Sequence, residues 1–157
     1  MAVKKGKPIV LSLCIMMALV FVSCNNHSIY NQFKTMQRSG WNKDSVVYYP
    51  VFISDTTKRY DLLITIRNNA SYPYQNFWMF IDEKTPAGDV KKDTVECYLA
   101  DDRGRWLGSG FSEYSMPVLI AHQKKFHHQG YYVFGIHQGM RDDLLKGITA
   151  IGLEIKK

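Results

Sequence analysis

Cys24 is the residue whose setting points most directly to a chemical reaction. It follows Ser23 at the end of an uncharged, largely apolar run over residues 8–22, and three lysines precede that run. A charged segment followed by a short apolar segment is typical of a secretory signal. A small residue directly before a cysteine resembles a lipobox, so we expect cleavage after Ser23 and acylation of Cys24.

Two other outcomes stay open for this segment, namely export without a lipid and retention as an uncleaved anchor. A transmembrane helix needs about 20 apolar residues, and the run over residues 8–22 is shorter. An ordinary signal-peptidase site has small residues in an A-x-A-like pattern, which bulky Phe21 followed by Val22 does not offer. We therefore predict a signal peptide over residues 1–23 and attachment to a membrane through the lipid on Cys24.

Cysteine and histidine elsewhere in the chain could support catalysis or metal binding. Cys97 alternates with Val95 and Leu99, which places its thiol in a core, where it behaves as a small hydrophobic group and stays protonated. His122, His127 and His128 lie close together and could offer three imidazoles to a metal ion. Adjacent residues of a strand point to opposite faces, so His127 and His128 cannot easily share a metal, and we expect the three histidines to lie in a solvated loop. We therefore predict no catalytic residue, no metal site and no cofactor, and we expect that the protein is not an enzyme.

A group of aromatic residues near predicted loops is the best candidate for a binding site. Trp and Tyr are favoured anchors at protein interfaces, and loops on a rigid sheet often carry binding groups. We predict a partner-binding site in the loop over residues 68–76 and the turn over residues 101–108. Two alternatives stay open: the rings stack on a carbohydrate, or they pack against the core. The four candidate residues are Tyr72, Tyr74, Trp78 and Trp106.

Charge and cysteine usage limit the class of protein further. The whole chain has a formal net charge of +6, but without the three N-terminal lysines it holds 17 basic and 14 acidic residues, a net charge of +3. No basic face interleaved with aromatic residues is evident, so we predict no binding to nucleic acid. Only Cys97 is left for the folded part, and the remaining chain of about 130 residues is enough for one hydrophobic core without a disulfide.

The elements that must position these residues are predicted to be strands. Residues 24–45 are polar and mixed, which indicates the lipidated cysteine and a tether. From residue 46 to residue 157, β-branched and aromatic residues alternate with polar ones, and Gly, Pro, Asn or Asp clusters interrupt them, which predicts a single antiparallel β-sandwich, jelly-roll or Ig-like, of about seven to eight strands. The candidate strands are Val46–Ile53, Arg59–Asn68, Asn76–Glu83, Asp93–Ala100, Arg105–Gly108, Tyr131–Gln138 and Ile148–Ile155.

Strand order and turns can be predicted in part. Pro50 lacks an N–H group, which places the first candidate strand at a sheet edge. The third candidate strand, residues 76–83, is apolar on both faces and is expected to be central or covered. Gly-containing turns at residues 86–89 and 101–104 are expected to close hairpins. Residues 142–146 are predicted to form a single helical turn that ends at Gly147.

Six short motifs follow one another in a fixed order after Cys24, and they are residues 67–69, 72–74, 76–80, 93–97, 99–101 and 104–108. Together they resemble the gliding-motility lipoprotein GldH family of Bacteroidetes. The resemblance covers most of the chain after Cys24. It implies a non-enzymatic lipoprotein of the cell envelope, with proteins of the gliding and type IX secretion machinery as partners. It also implies attachment to the outer membrane, with the domain facing the periplasm, because residues 25–28 lack the acidic side chains that tend to mark surface-exported lipoproteins of that phylum.

Overall fold

The computed structural model describes residues 28–157, where all regular secondary structure is β-strand. Within these residues no helix has the length and apolar character of a membrane span. Eleven strands follow one another in the described part: β1 (Ser28–Thr35), β2 (Trp41–Asn42), β3 (Val47–Ile53), β4 (Arg59–Asn69), β5 (Asn76–Lys84), β6 (Val90–Tyr98), β7 (Ser109–Gly110), β8 (Glu113–Lys125), β9 (Gly130–Gln138), β10 (Leu144–Leu145) and β11 (Ile148–Lys156).

Most strands belong to two antiparallel sheets that pack face to face. The five-stranded sheet has the order β1-β11-β4-β8-β7, and the four-stranded sheet has the order β3-β9-β5-β6. The short strands β10 and β2 pair with each other. The predicted antiparallel β-sandwich is therefore confirmed.

Alternate residues of the long strands fill the space between the sheets. Burying one large apolar side chain contributes about 1.5–3 kcal/mol to folding. The hydroxyl group of Tyr49 crosses this core and donates a hydrogen bond of 2.6 Å to the carbonyl oxygen of Ile151 in the opposite sheet. In β4 the buried face is the one predicted from the alternation, and its residues are Tyr60, Leu62, Ile64 and Ile66.

The predicted positions of two strands are confirmed. Strand β3, which contains Pro50, is at one edge of the four-stranded sheet, and β5 is central, between β9 and β6. Two predicted turns are also confirmed, because Gly88 and Gly104 have φ values of 96° and 76° and each donates its N–H to the carbonyl three residues earlier. A positive φ of this kind is accessible to glycine without a steric penalty.

The predicted tether was too long. Residues 28–35 form β1, which pairs with β11, and Trp41 of β2 is buried in the core. The folded part therefore includes residues before the predicted start at residue 46. Strand β1 was missed because it is a mostly exposed edge strand held by backbone pairing, so its side chains carry no alternating apolar pattern. Cys24 and the predicted signal peptide over residues 1–23 lie outside the described residues.

Three other predictions of local structure were wrong. The longest strand, β8, was missed because two register shifts against β4 interrupt its alternation. The predicted strand over residues 105–108 is reduced to one bridge between Ala100 and Trp106, followed by β7. The predicted helical turn over residues 142–146 contains β10 instead, because its partner β2 is distant in the sequence and buries Leu145 against the core.

Candidate functional site

Tyr72 lies beneath the candidate site and belongs to the core. Its exposed fraction is 3%, and its hydroxyl group donates a hydrogen bond of 2.7 Å to the carbonyl oxygen of Asn76. Burial raises the pKa of Tyr72 far above the usual range of a phenol. Its ring also makes an edge contact with Phe77, at 6.3 Å between centroids. Tyr72 therefore supports the loop between β4 and β5 and does not present a surface to a partner.

Trp106 is half-buried against the other side of Tyr72. Its ring stacks on Tyr114 of β8, with 5.7 Å between centroids, and lies 6.4 Å from the ring of Tyr72. The turn that positions it is fixed by the Asp101 carboxylate, which accepts hydrogen bonds from the backbone N–H of Arg105 and from its guanidinium group. These hydrogen bonds, the backbone bond first, lower the pKa of Asp101. Trp106 therefore links the turn over residues 101–104 to the five-stranded sheet.

Tyr74 connects the loop between β4 and β5 to the loop after β9. Its hydroxyl group donates to the Asp142 carboxylate, at 3.0 and 3.1 Å from the two oxygens. This hydrogen bond raises the pKa of Tyr74. The backbone carbonyl of Asp142 accepts a hydrogen bond of 2.7 Å from the buried side chain of Gln138. The two loops are thus held together by polar contacts between neighbouring strand ends.

Trp78 lies on the outer face of β5, with an exposed fraction of 38%. Its backbone carbonyl accepts a hydrogen bond of 2.7 Å from Gly139, and its N–H donates to the sulfur of Met140 at 3.3 Å. A Cβ atom at Gly139 would lie 3.1 Å from the Trp78 Cβ, so the absence of a side chain there permits this close approach. The loop after β9 therefore forms a wall beside the Trp78 ring.

Tyr74 and Trp78 both line an open depression of about 550 Å³ on this face. Its apolar wall is completed by Phe80 and Met140, and Arg141 also lines it. Three further residues contribute polar side chains or backbone to the lining, and they are Asn76, Thr94 and Gly139. The structure thus brings together two of the four predicted residues at one surface, with Trp106 on the far side of Tyr72.

The residues missed by the sequence prediction differ in how readily they could be found. Phe80 is two positions after Trp78, so both side chains point to the same face of a strand. That spacing could have added Phe80 to the site. Arg141 and Met140 come from a loop that meets β5 only through the pairing of β5 with β9, and no local pattern indicated them.

Exposed aromatic residues continue over the rest of the outer face of the four-stranded sheet. Phe52 of β3 and Tyr131 of β9 are neighbours, with 5.1 Å between ring centroids. Tyr48 lies over Gly135, where a Cβ atom would be 3.2 Å from the tyrosine ring. Tyr98 is exposed at the β6 edge. This outer face is therefore a solvent-facing aromatic surface, unlike the buried inner face.

The groups considered for catalysis and metal binding are placed elsewhere. Cys97 is 6% exposed, on the inner face of β6, and burial followed by the charge of Glu96 raises the pKa of its thiol to about 12. His122 lies in β8, not in a loop, with its Nδ1 atom 2.9 Å from the Asp61 carboxylate. Across residues 28–157 no three His, Cys, Asp or Glu side chains are grouped in a way that could hold a metal ion.

The register of β1 fixes which end of the sandwich carries the site. Ser28 pairs with Lys156, at the end of the five-stranded sheet where Arg59 pairs with Lys125. Thr35 pairs with Ala150 at the opposite end, next to the loop that contains Tyr72 and Tyr74. A strand of eight residues spans about 26 Å at roughly 3.3 Å per residue. The depression and the aromatic loops are therefore at the end remote from Ser28.

Comparison with known proteins gives consistent matches over this whole region. Residues 28–155 match the family described as GldH lipoprotein. The chain is 35% identical over 147 residues to a protein of Christiangramia forsetii named gliding motility lipoprotein GldH homolog, and the alignment covers 88% of this chain and 90% of that protein. It is 31% identical over 147 residues to the gliding motility lipoprotein GldH of Flavobacterium johnsoniae, with 89% and 91% covered.

Proposed function

Because this chain belongs to the GldH lipoprotein family, we propose that it is a lipid-anchored, non-enzymatic component of the cell envelope that binds proteins of the gliding and type IX secretion machinery. The observation that carries the proposal is the extent of the family match, which runs from β1 to β11. The two relatives are named as gliding motility lipoproteins, and the family match over residues 28–155 includes both sheets and the depression.

Attachment to the membrane is assigned to Cys24. The junction of Ser23 with Cys24, after an apolar run, supports cleavage at that point and acylation of the cysteine. Two or more acyl chains give stable anchoring, whereas a single chain gives only marginal binding. The outer membrane and a periplasmic domain are proposed together, and the uncharged residues after Cys24 support this orientation.

The position of β1 relative to the candidate site predicts how the domain is oriented on the membrane. Ser28 is four positions after Cys24, so the strand starts close to the proposed lipid. The candidate site lies at the other end of the strand, about 26 Å away. The depression would then open away from the membrane that holds the anchor, where it can meet a partner in the periplasm.

The chemistry of the depression favours a protein partner. Trp78, Phe80, Tyr74, Met140 and Arg141 are all of types that are enriched at the centres of protein interfaces. An aromatic side chain in such a position can contribute about 2 kcal/mol or more to binding. The open shape of the depression suits an apolar side chain that protrudes from another protein.

A non-enzymatic role is consistent with the state of the most reactive candidate group. The thiolate, and not the thiol, is the nucleophile in cysteine chemistry. Cys97 is buried and its pKa is raised to about 12, so the thiol is both inaccessible and protonated at neutral pH. Its contact with the Phe77 carbonyl is that of a core side chain.

A carbohydrate is the second candidate ligand of the depression, and one observation favours it. Trp78 and Phe80 lie beside Asn76 and Thr94 in the same depression, so flat apolar rings and short polar side chains are adjacent. Such a combination can stack on a sugar ring and bind its hydroxyl groups. The two candidates can be separated by one set of variants.

The test uses the full-length acylated protein with a Trp78→Ala, Arg141→Ala double substitution, and Phe52→Ala as the matched control at the far end of the same face. Affinity purification from membrane extracts should recover envelope proteins with the parent and with Phe52→Ala, and should lose them with the double variant. Secretion and motility should fall in parallel. Equal recovery with all three proteins, or binding of a glycan array that depends on Trp78, would contradict a protein-binding depression.

A further inference from the structure

A second depression lies at the end of the sandwich that contains Ser28, and it has a volume of about 380 Å³. One wall is the hairpin between β5 and β6, and the other is the loop between β8 and β9. We call this depression the basal cleft, because it is at the end nearest the proposed lipid. Its polar lining includes Asp89, Lys91, Lys125, His127 and His128.

The loop wall of the basal cleft is held in place by buried aromatic rings. Phe126 and Tyr132 are 1% and 2% exposed, and their rings make an edge contact at 4.6 Å between centroids. The backbone N–H of His128 donates a hydrogen bond of 3.2 Å to the hydroxyl group of Tyr132. His127 and His128 are themselves exposed. The loop therefore presents two imidazole groups to solvent from a fixed base.

The hairpin wall is also fixed. Thr85 donates its N–H to the carbonyl oxygen of Asp89 at 2.8 Å, and Asp89 donates its N–H to the Thr85 hydroxyl group at 3.2 Å. The two walls meet at Pro86 and Gly130, where a Cβ atom on the glycine would lie 3.0 Å from the Cβ atom of the proline. A site whose walls are formed in advance loses less conformational entropy when a ligand enters.

The charged groups of the basal cleft divide into a neutral pair and three exposed groups. Glu83 and Lys124 form an ion pair of 2.8 Å, and both side chains are mostly buried. Asp89, Lys91 and Lys125 are exposed, and across residues 28–157 none of them is in an ion pair. The cleft thus offers two ammonium groups and one carboxylate, beside the two imidazole groups.

This combination fits a zwitterion better than a simple ion. A phosphate alone would meet the carboxylate of Asp89, and a cation alone would meet the two lysines, and like charges repel each other. A phosphate that is linked to a primary ammonium group satisfies both signs. Its oxygens accept charge-assisted hydrogen bonds from the lysines and imidazoles, and its ammonium group donates to the carboxylate. Phosphoethanolamine, the head group of a common phospholipid, has this chemistry.

The place of the basal cleft in the fold favours a lipid as the source of that head group. Lys125 pairs with Arg59, at the end of the sheet where Ser28 pairs with Lys156. Three strand spacings separate β1 from β8, which is about 14 Å at roughly 4.8 Å each. Ser28 is four positions after Cys24, and four residues span at most about 14 Å. The anchor and the cleft can therefore reach the same membrane surface.

The tip of the hairpin wall has the composition of a segment that touches lipid. Pro86 and Ala87 are exposed, and Val90 has an exposed fraction of 53%. Lys84 and Lys91 flank these apolar residues. At a membrane surface, apolar side chains enter the boundary of the acyl region while lysine ammonium groups stay at the level of the phosphates. The tip therefore fits a lipid surface better than a dissolved ligand.

We propose that the basal cleft binds the phosphoethanolamine head group of a phospholipid in the membrane that holds the anchor. The phosphate lies against Lys91, Lys125 and the two imidazole groups, and the ammonium group lies against Asp89. This inference rests on the proposed anchor at Cys24, which brings this end of the sandwich to the membrane. A second contact with lipid fixes the tilt of the domain, and so holds the aromatic depression at the opposite end away from the bilayer.

Native mass spectrometry of the full-length acylated protein tests the ligand. The protein is released from detergent micelles that contain equal amounts of phosphatidylethanolamine, phosphatidylcholine and phosphatidylglycerol. It should retain phosphatidylethanolamine about tenfold more often than either of the others. The choline group has no N–H to donate to Asp89, and phosphatidylglycerol has no ammonium group. Equal retention of the three lipids would overturn the proposal.

Two double variants test the phosphate contacts. Lys91→Gln with Lys125→Gln should lower retention of phosphatidylethanolamine about tenfold, because two charge-assisted hydrogen bonds are lost. Arg38→Gln with Lys146→Gln is the matched control, since it removes the same charge from exposed positions at the opposite end. Retention by the control should equal that of the parent. Equal retention by the two double variants would refute a site in the basal cleft.

Asp89→Asn tests the ammonium contact. It should remove the preference for phosphatidylethanolamine over phosphatidylglycerol, whereas Asp44→Asn, at the opposite end, should keep it. An unchanged preference in Asp89→Asn would contradict the assignment of that carboxylate. Displacement of the lipid by an equal concentration of dissolved phosphoethanolamine or inorganic phosphate would show that the source is not a lipid. The intact mass in the same spectra reports whether Cys24 is acylated, so failure of the anchor and failure of the cleft are distinguished.

Discussion

The side chain of Cys97 shows how burial, more than sequence context, sets the reactivity of a group. Its neighbours Val95 and Leu99 also face the inner side of β6, and the thiol contacts the carbonyl oxygen of Phe77. We expect Cys97 to react slowly with thiol reagents in native buffer and completely after denaturation. Labelling followed by intact-protein mass spectrometry measures this. Rapid native labelling would mean that the inner and outer faces of β6 are exchanged.

The same thiol predicts a pH dependence of stability. In the unfolded chain a cysteine has an ordinary pKa of about 8.5, whereas in the folded protein the pKa of Cys97 is raised to about 12. Above pH 8.5 the unfolded state therefore loses its proton first, and the free energy of unfolding falls as the pH rises towards the folded pKa.

Between pH 8.5 and 9.5 the expected loss of stability is about 1 kcal/mol. This window lies below the ordinary pKa of tyrosine, so the buried Tyr49 and Tyr72 contribute little to it. Urea unfolding at several pH values should show the fall in the parent protein and a flatter profile in Cys97→Ala. Identical slopes would show that another group controls stability in this range.

The aromatic residues of the candidate site should separate by their effect on stability. Tyr72 is buried and Trp78 is partly exposed, so Tyr72→Ala should lower the free energy of unfolding by about 3–5 kcal/mol and Trp78→Ala by about 1 kcal/mol. Denaturation followed by circular dichroism compares them without relying on tryptophan fluorescence. A larger loss for Trp78→Ala than for Tyr72→Ala would contradict the placement of the two rings.

At the scale of elements, one glycine holds the end of β4 against the start of β11. Gly147 has a φ of 84°, its carbonyl accepts a hydrogen bond of 2.9 Å from Asn69, and a Cβ atom there would lie 2.2 Å from the Tyr72 backbone nitrogen. Gly147→Ala combines a left-handed backbone with a clash against main chain, and should cost about 3 kcal/mol or more.

Gly104 provides a matched comparison for this substitution. It has a similar φ of 76°, but no atom lies within 4 Å of a Cβ atom built there. Gly104→Ala should therefore cost only the conformational term, about 1 kcal/mol. Thermal unfolding of both variants measures the difference. Equal losses would mean that the loop of Tyr72 moves away without a penalty.

Elements whose signal is local were predictable from the sequence. The alternation in β4, the proline in β3 and the glycines of two turns each act on their own neighbours, and all three were interpreted correctly. Strands β1 and β10 were not predictable, because they exist through backbone pairing with segments that are distant along the chain. The same distinction applies to the residues of the candidate site. Trp78 and Phe80 share a strand, so a local pattern indicates both, whereas Arg141 comes near them only because β9 pairs with β5.

At the scale of the whole molecule, the two ends of the sandwich have different environments if Cys24 carries the lipid. The end that contains Ser28 also presents Arg59, Lys125 and Lys156. The opposite end presents the hairpin between β7 and β8, where the Phe111 side chain is 95% exposed. The two ends are separated by about 26 Å, whereas the lipid headgroup region on each side of a bilayer is only about 5–8 Å thick.

This difference predicts where lipid can be reached. A photoreactive amino acid in place of Lys125 should form adducts with phospholipid in native membranes, because it lies at the end where the chain leaves the anchor. The same amino acid in place of Phe111 lies beyond the headgroups and should form adducts with proteins and not with lipid. Cys24→Ala, which removes the lipid attachment, should abolish the lipid adducts at Lys125. Lipid adducts of equal yield at both positions would mean that the sandwich lies flat on the membrane, and the end that carries the depression would then not be held away from the bilayer.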